Sequence, residues 1–179
     1  YLRDKNPEYI LLLNNDTEVM SDILSSFIKA VEHYGNRSIF GAKIYYYHNP
    51  QLIWYAGGKI NLKYGRIVHR GIRKVDSGKN SLPMETDYIT GCCIFMPWNI
   101  MDQLNGFDED FNMYGEDVDL CMRAKRKGFK CYYWPDAKLQ HHVSASLGGA
   151  TSIKKHYLKM QAIIRLIFKQ IRYRILLEN

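Results

Sequence analysis

Apolar positions along this chain follow three patterns, and each predicts a different element. A continuous run, Tyr9 to Leu13, stops abruptly at Asn14-Asn15-Asp16. It predicts a strand buried on both faces, with its polar carboxyl end at the sheet rim, where ligands of open α/β sheets gather. Similar runs at Ile39–Tyr47 and Tyr88–Pro97 predict further strands. Ile23, Phe27 and Val31 recur every fourth residue between Ser21-Asp22 and Gly35, which predicts a capped helix. A second helix is predicted after Tyr114-Gly115. It has Glu116, Asp117 and Asp119 in its first turn, bases in its last, and Gly128 just past its end, which suits the helix dipole and a glycine C-cap.

Between these elements the pattern weakens. Residues 52–72, broken by Gly57-Gly58 and Tyr64-Gly65-Arg66, predict a hairpin excursion, and 76–82 a polar loop. Trp98–Leu104 reads as a short helix. Lys130–Trp134 and Lys138–His142 read as two extended segments around Pro135-Asp136, followed by His141-His142 and a Ser/Gly-rich stretch. From residue 153 the period is helical. Ile153, Tyr157, Met160, Ile164, Ile167, Phe168, Ile171 and Ile175 form one stripe, with Lys155, Arg165, Lys169 and Arg172 opposite. That stripe either packs on its own domain or makes a surface helix that touches anionic headgroups. The expected division is a body at 1–152 and a basic amphipathic helix at 153–179.

Composition narrows the function classes. A chain of 179 residues with 46% hydrophobic content suits one globular core. Its net charge of +7 is concentrated in the tail, where residues 153–179 carry +6, leaving +1 for residues 1–152. A near-neutral body argues against a nucleic-acid-binding face. Cys92, Cys93, Cys121 and Cys131 form no C-x-x-C pair, which leads us to expect reduced thiols in a cytosolic setting. The chain opens on Tyr1 and reaches a core-like run within ten residues, so a piece of a longer protein is expected.

Candidate chemistry concentrates where strands end and helices begin. Six carboxylates (Asp108, Glu109, Asp110, Glu116, Asp117, Asp119) fall within fifteen residues. A calcium loop over Asp108–Asp119 fails, because Met113 stands where the sharp turn needs glycine and Asp119 where a bidentate Glu is needed. Acids at a helix start are also ordinary capping. Taken together, Asn14-Asn15-Asp16, Glu116-Asp117 and His141-His142 suit metal-assisted transfer from a diphosphate donor. A carboxylate and an imidazole would hold the cation, and a separate carboxylate would activate the acceptor.

The order LLLNNDTEV, DYITGCCIFMPW, LNGFDEDFNMYGEDVDLCMRAKRKGF and WPDAKLQHHVSASLGG closely resembles the family 2 inverting glycosyltransferases of GT-A fold, especially their rhamnosyltransferase-like branch. The resemblance covers roughly residues 8–150. It implies an α/β fold with a mixed, mostly parallel sheet flanked by helices. It also implies a nucleoside-diphosphate sugar donor, dTDP-rhamnose in this branch, and a divalent metal, Mg or Mn. The implied acceptor is a hydroxyl of a cell-surface glycan or a lipid-linked acceptor.

By position in the motifs, Asp16 and His141 would bind metal, with His142 the alternate. Asn14, Asn15, Gly91, Ser146 and Gly148 would contact the donor. Asp117 would be the catalytic base, with Glu116 beside it orienting the acceptor or the base. The family's β-α-β-α-β nucleotide unit, which should precede residue 8, is not among these residues, so weak donor binding, an inactive fragment and self-association through an exposed strand are expected. The rivals are a non-catalytic binding module whose tail meets a membrane or partner, and a nucleotidyltransferase, which would want a basic phosphate-gripping loop. The expected location is cytoplasmic, peripheral at the inner face of the cell membrane.

Overall fold

The computed structural model describes residues 2–20, 22–111, 113–143 and 153–178. A short helix α1 (Leu2–Lys5) leads to β1 (Tyr9–Leu13), β2 (Thr17–Val19), α2 (Ile23–Tyr34) and β3 (Ser38–Tyr46). Next come β4 (Asn49–Tyr55), a hairpin of β5 (Gly58–Asn61) and β6 (Arg66–His69) joined by a 3-10 turn at Leu62–Tyr64, then the short strands β7 (Lys74–Val75) and β8 (Met84–Glu85). The chain continues through β9 (Cys93–Pro97), α3 (Trp98–Gln103), α4 (Glu116–Arg126), β10 (Lys130–His141) and α5 (Ile153–Glu178).

The main sheet runs β1-β9-β3-β10-β2, with β4 and β8 attached at β3 and β10 and β7 at β4. Helices cover it on both sides, because neighbouring residues of a strand point to opposite faces. Tyr132 of β10 stacks on Tyr34 of α2 at 3.8 Å, whereas burial of Cys121 in α4 sets it against Cys131, the preceding residue of β10. The core between these layers is fully enclosed at Phe27, Phe40, Ile44, Ile94, Leu120 and Leu139.

A mixed α/β sheet is present, but its strands are not mostly parallel. Among the described residues only β3 and β10 pair in parallel, while β1–β9, β3–β9, β2–β10, β3–β4, β4–β7 and β8–β10 are antiparallel. The run at Tyr9–Leu13 is less enclosed than a strand buried on both faces, with only Ile10 buried and Leu13 exposed, because β1 lies at the end of the sheet; an apolar run also says nothing of strand direction. β9 begins at Cys93, not at Tyr88, because a turn closed by Cys93 N–H donating to the Thr90 carbonyl takes up Thr90–Cys92. The two late segments are one strand, β10, whose register against β3 shifts between Trp134 and Lys138.

α2 starts where Asp22 accepts the Ser25 N–H, and it buries Ile23, Phe27, Ala30 and Val31. α4 starts from Gly115, which is left-handed at φ 86 and serves as its N-cap. Of the two placements expected for the α5 stripe, packing on its own domain is not the one found. The buried contacts of α5 are Ala162 and Leu166. Around them Arg165 donates to the Asp110 carbonyl, Lys169 pairs with Asp108, and Arg126 of α4 donates to Gln170. The stripe from Ile153 to Ile175 faces outward (only Ile167 is half-buried), because acidic and carbonyl partners on the body draw the cations inward. Asp108, Asp110 and Asp119 therefore serve this docking, Asp119 also accepting from Arg123 at 2.6 Å.

Candidate active site

Three of the sequence motifs meet at the end of β1. Asn14 N–H donates to the Cys92 carbonyl at 3.1 Å, which ties the β1–β2 turn to the segment that precedes β9. The Asp16 carbonyl accepts the His142 N–H at 2.9 Å, which ties the same turn to the end of β10. Asp16 Oδ1 and His141 Nε2 then stand 3.2 Å apart. Asp16 Oδ1 and His141 Nδ1 are both buried without a hydrogen-bond partner among the described residues.

Alternation along β10 decides between the two histidines. His141 is buried and faces Asp16, whereas His142 lies on the other side, 3.2 Å from Glu18 and stacked on Tyr47 at 3.5 Å. Burial lowers the His141 pKa below the ordinary imidazole value even though Asp16 opposes the shift. The ring is therefore neutral near pH 7, with a lone pair free to coordinate.

The third motif approaches from α4. Asp117 Oδ2 accepts the Gly91 N–H and Oδ1 the Val118 N–H, both at 2.8 Å. The carboxyl group is enclosed although the residue as a whole is half-buried. Burial first, then the neighbouring Glu116, pushes its pKa from 3.8 up to about 6, against the pull of the two N–H donors. Glu116 Oε2 is buried without a hydrogen-bond partner among the described residues. A Cβ on Gly91 would sit 3.6–3.7 Å from Asp117 and Glu116, so Gly91 lies directly against the acidic pair. Cys92, next in sequence, feels both Asp16 and Asp117, and its burial raises the thiol well above its ordinary range.

Asn14 and Asn15 are exposed in the turn before Asp16. Ser146 and Gly148 lie outside the described residues. A surface concavity of about 430 Å³ between β1 and α2, lined in part by Tyr9, Ile28 and Asn36, is separate from these motifs.

Four contributors were not singled out as site residues from the sequence. Trp54 of β4 presents its ring edge-to-face to His141 and to His69 of β6, each at 4.5 Å. Burial drives the His69 pKa down to about 4, and Nδ1 lies 3.3 Å from the Trp54 carbonyl. On α5, Lys159 sits 5.4 Å over the Tyr114 ring, close enough to His69 to lower its pKa, and Lys155 does the same to His141. Neither lysine has an ion-pair partner among the described residues. The one available signal was an aromatic strand, a Gly57-Gly58 break and a returning histidine, which marked a hairpin but no chemistry.

Among the described residues no three His, Cys, Asp or Glu side chains group as a metal site. Asp16 and His141 supply two donors, one carboxylate and one neutral imidazole. That set fits a cation whose remaining positions are filled by substrate oxygens and water.

Comparison with known proteins places the chain in a family. The chain is 30% identical over 146 residues to the rhamnosyltransferase WbbL of Escherichia coli, covering 79% of this chain and 54% of WbbL. It is 26% identical over 158 residues to the O-antigen biosynthesis protein RfbC of Myxococcus xanthus, covering 78% of this chain and 11% of RfbC. Over 61 residues it is 38% identical to the N-acetylglucosaminyl-diphospho-decaprenol L-rhamnosyltransferase of Mycobacterium tuberculosis, covering 34% of this chain and 20% of that enzyme. The chain thus spans about half or less of the length of these relatives. The structure of GalNAc-T7 with UDP, GalNAc and Mn2+ shares the fold at a TM-score of 0.61 and 13% identity, covering 87% of this chain and 31% of that one. The family model described as glycosyl transferase family group 2 matches residues 9–177, and the chain belongs to that family.

Proposed function

We propose that the protein is an inverting glycosyltransferase that moves a sugar from a nucleoside-diphosphate donor to an acceptor hydroxyl in one displacement. The observation that supports this best is the meeting of Asp16 and His141 at 3.2 Å on the β1–β2 turn, which is tied through Cys92 to the Gly91 that holds Asp117. Asp117 is the base. A carboxyl group raised to about 6 is ionised at neutral pH yet basic enough to take a proton as the new bond forms. The acceptor oxygen gives its proton to Asp117 and its electron pair to the anomeric carbon. The bond from that carbon to the diphosphate breaks, and its pair leaves on the diphosphate oxygen. A single displacement with one carboxylate as base leads to inversion.

Asp16 and His141 would hold a divalent cation, Mg or Mn. When bound, it supplies positive charge to the leaving diphosphate. Lys155 and Lys159 of α5 add charge of the same sign. Asn14 and Asn15 offer amides to the ribose and diphosphate, and Glu116 orients Asp117. A decaprenol-linked acceptor and L-rhamnose, named for one relative, favour dTDP-rhamnose as donor and a lipid-linked sugar or surface glycan as acceptor here. The site of action would be the cytoplasmic side of the membrane.

Replacing Asp117 with Asn tests this in the protein supplied with donor, acceptor and metal. Transfer should fall by about 10²–10⁴ while donor binding by titration calorimetry is kept. Full turnover by Asp117→Asn would end the reading.

A further inference from the structure

The outward face of α5 is unlike the rest of the surface. Ile153, Tyr157, Met160, Ile164, Phe168 and Ile171 recur at spacings of three and four, so they share one face. All are exposed, Phe168 at 67% and Ile153 at 87%. A helix that only had to cover its own domain would turn this stripe inward. Here Ala162 and Leu166 make the buried contact while Arg165 and Lys169 are held by the body. The 3-10 turn at Leu62–Tyr64 packs beside α5 and adds Lys63 and Tyr64, the latter 68% exposed, to the neighbouring surface.

We propose that this face docks on an anionic lipid surface, with the stripe entering the headgroup layer. Charge selects the occupant. The α5 sequence carries seven Lys or Arg and one Glu, and Lys154 and Arg172 are exposed beside the stripe. Two copies of this chain meeting through α5 would set like charges against each other, whereas anionic headgroups would neutralise them. Tyr157 and Tyr64 suit the boundary between lipid and water. No helix among the described residues is long and apolar enough to cross a membrane, so the contact is one of lying on the surface. Docking of this kind is independent of the transfer chemistry. It would, however, bring Lys159 and the site beside it close to the lipid plane.

The test is co-sedimentation of the protein with vesicles of phosphatidylcholine alone or with about a quarter phosphatidylglycerol. Binding is expected to the mixed vesicles, to weaken as salt is raised, and to fall at least tenfold in Ile164→Ser/Phe168→Ser. Neither side chain supports the body, so the melting curve should not move. Lys154→Glu/Arg172→Glu should weaken binding to the mixed vesicles and leave the little seen with phosphatidylcholine unchanged. Equal binding by the serine variant, or none by the unmodified protein, overturns the proposal. So does a dimer in light scattering that the serine variant abolishes, which would assign the stripe to a second copy.

Discussion

Gly91 and Val118 hold the Asp117 carboxylate between two backbone N–H groups at 2.8 Å each, yet its proton is retained to about pH 6. Two such donors favour the charged form. Enclosure and the adjacent Glu116 outweigh them. The shift fixes a sign. The folded state keeps this proton to higher pH than the unfolded chain, so Asp117 opposes folding increasingly between about pH 4 and pH 6. A shift of roughly two units corresponds to about 3 kcal/mol. Asp117→Asn lacks this titration, although its single carbonyl can accept only one of the two N–H groups. In urea titrations from pH 4 to pH 7 the variant should therefore gain stability relative to the parent as pH rises. A difference that stays flat across that range would contradict the burial argument. Transfer by the parent should rise with an apparent pKa near 6.

Trp54 braces His141 without touching any substrate in the proposed reaction. Its ring lies edge-to-face on the imidazole at 4.5 Å, and His141 Nδ1 has no other support among the described residues. Trp54→Leu should keep the ligand but loosen its orientation. Manganese affinity, read by calorimetry in the presence of nucleoside diphosphate, should weaken by about 10–100-fold, the range seen when an outer partner of a metal ligand is lost. His141→Ala should lose more. Unchanged affinity in both would remove His141 from the metal site.

Gly58 is required by packing. A Cβ there would fall 2.1 Å from the Tyr88 ring, which is buried at 2% exposure and whose carbonyl accepts the Tyr55 hydroxyl at 2.7 Å. The ring has nowhere to go, so Gly58→Ala should cost about 2–3 kcal/mol or more. A shift in urea midpoint worth less than about 1 kcal/mol would show that Tyr88 can yield.

β1 ends the sheet, and its outer edge carries no strand among the described residues. An open edge of this kind favours pairing with another chain. The 179-residue chain should therefore associate as concentration rises in a way that Ile164→Ser/Phe168→Ser does not abolish. A monomer at all concentrations would overturn the expectation.

What could be read before the structure was whatever leaves a local signature. The run at Tyr9–Leu13, the cap at Asp22, the Gly115 entry to α4 and the end of β10 at His141 all fell within a few residues of their expected places. The meeting of Asp16 with His141 was legible through motif order, since no local pattern couples residues that far apart. Strand direction was not legible, because apolar runs look alike in parallel and antiparallel sheets. Trp54 and His69 were missed because an aromatic strand reads as core whether or not it borders a site. The orientation of α5 was left open for a different reason. Its periodicity marks the stripe but cannot weigh it against Asp108 and Asp110, whose attraction for Lys169 and Arg165 turns the helix over.

The parallel pairing of β3 with β10 has a consequence for how the chain acquires its shape. β3 and β10 form the spine of the sheet, yet Ser38 must find Lys130 about ninety positions later. During synthesis β4 can pair with β3 early, but the other edge of β3 would wait until all of α4 and β10 have left the ribosome. A search over that separation is slow, and substitutions at this seam should act on the speed of maturation as well as on the finished protein.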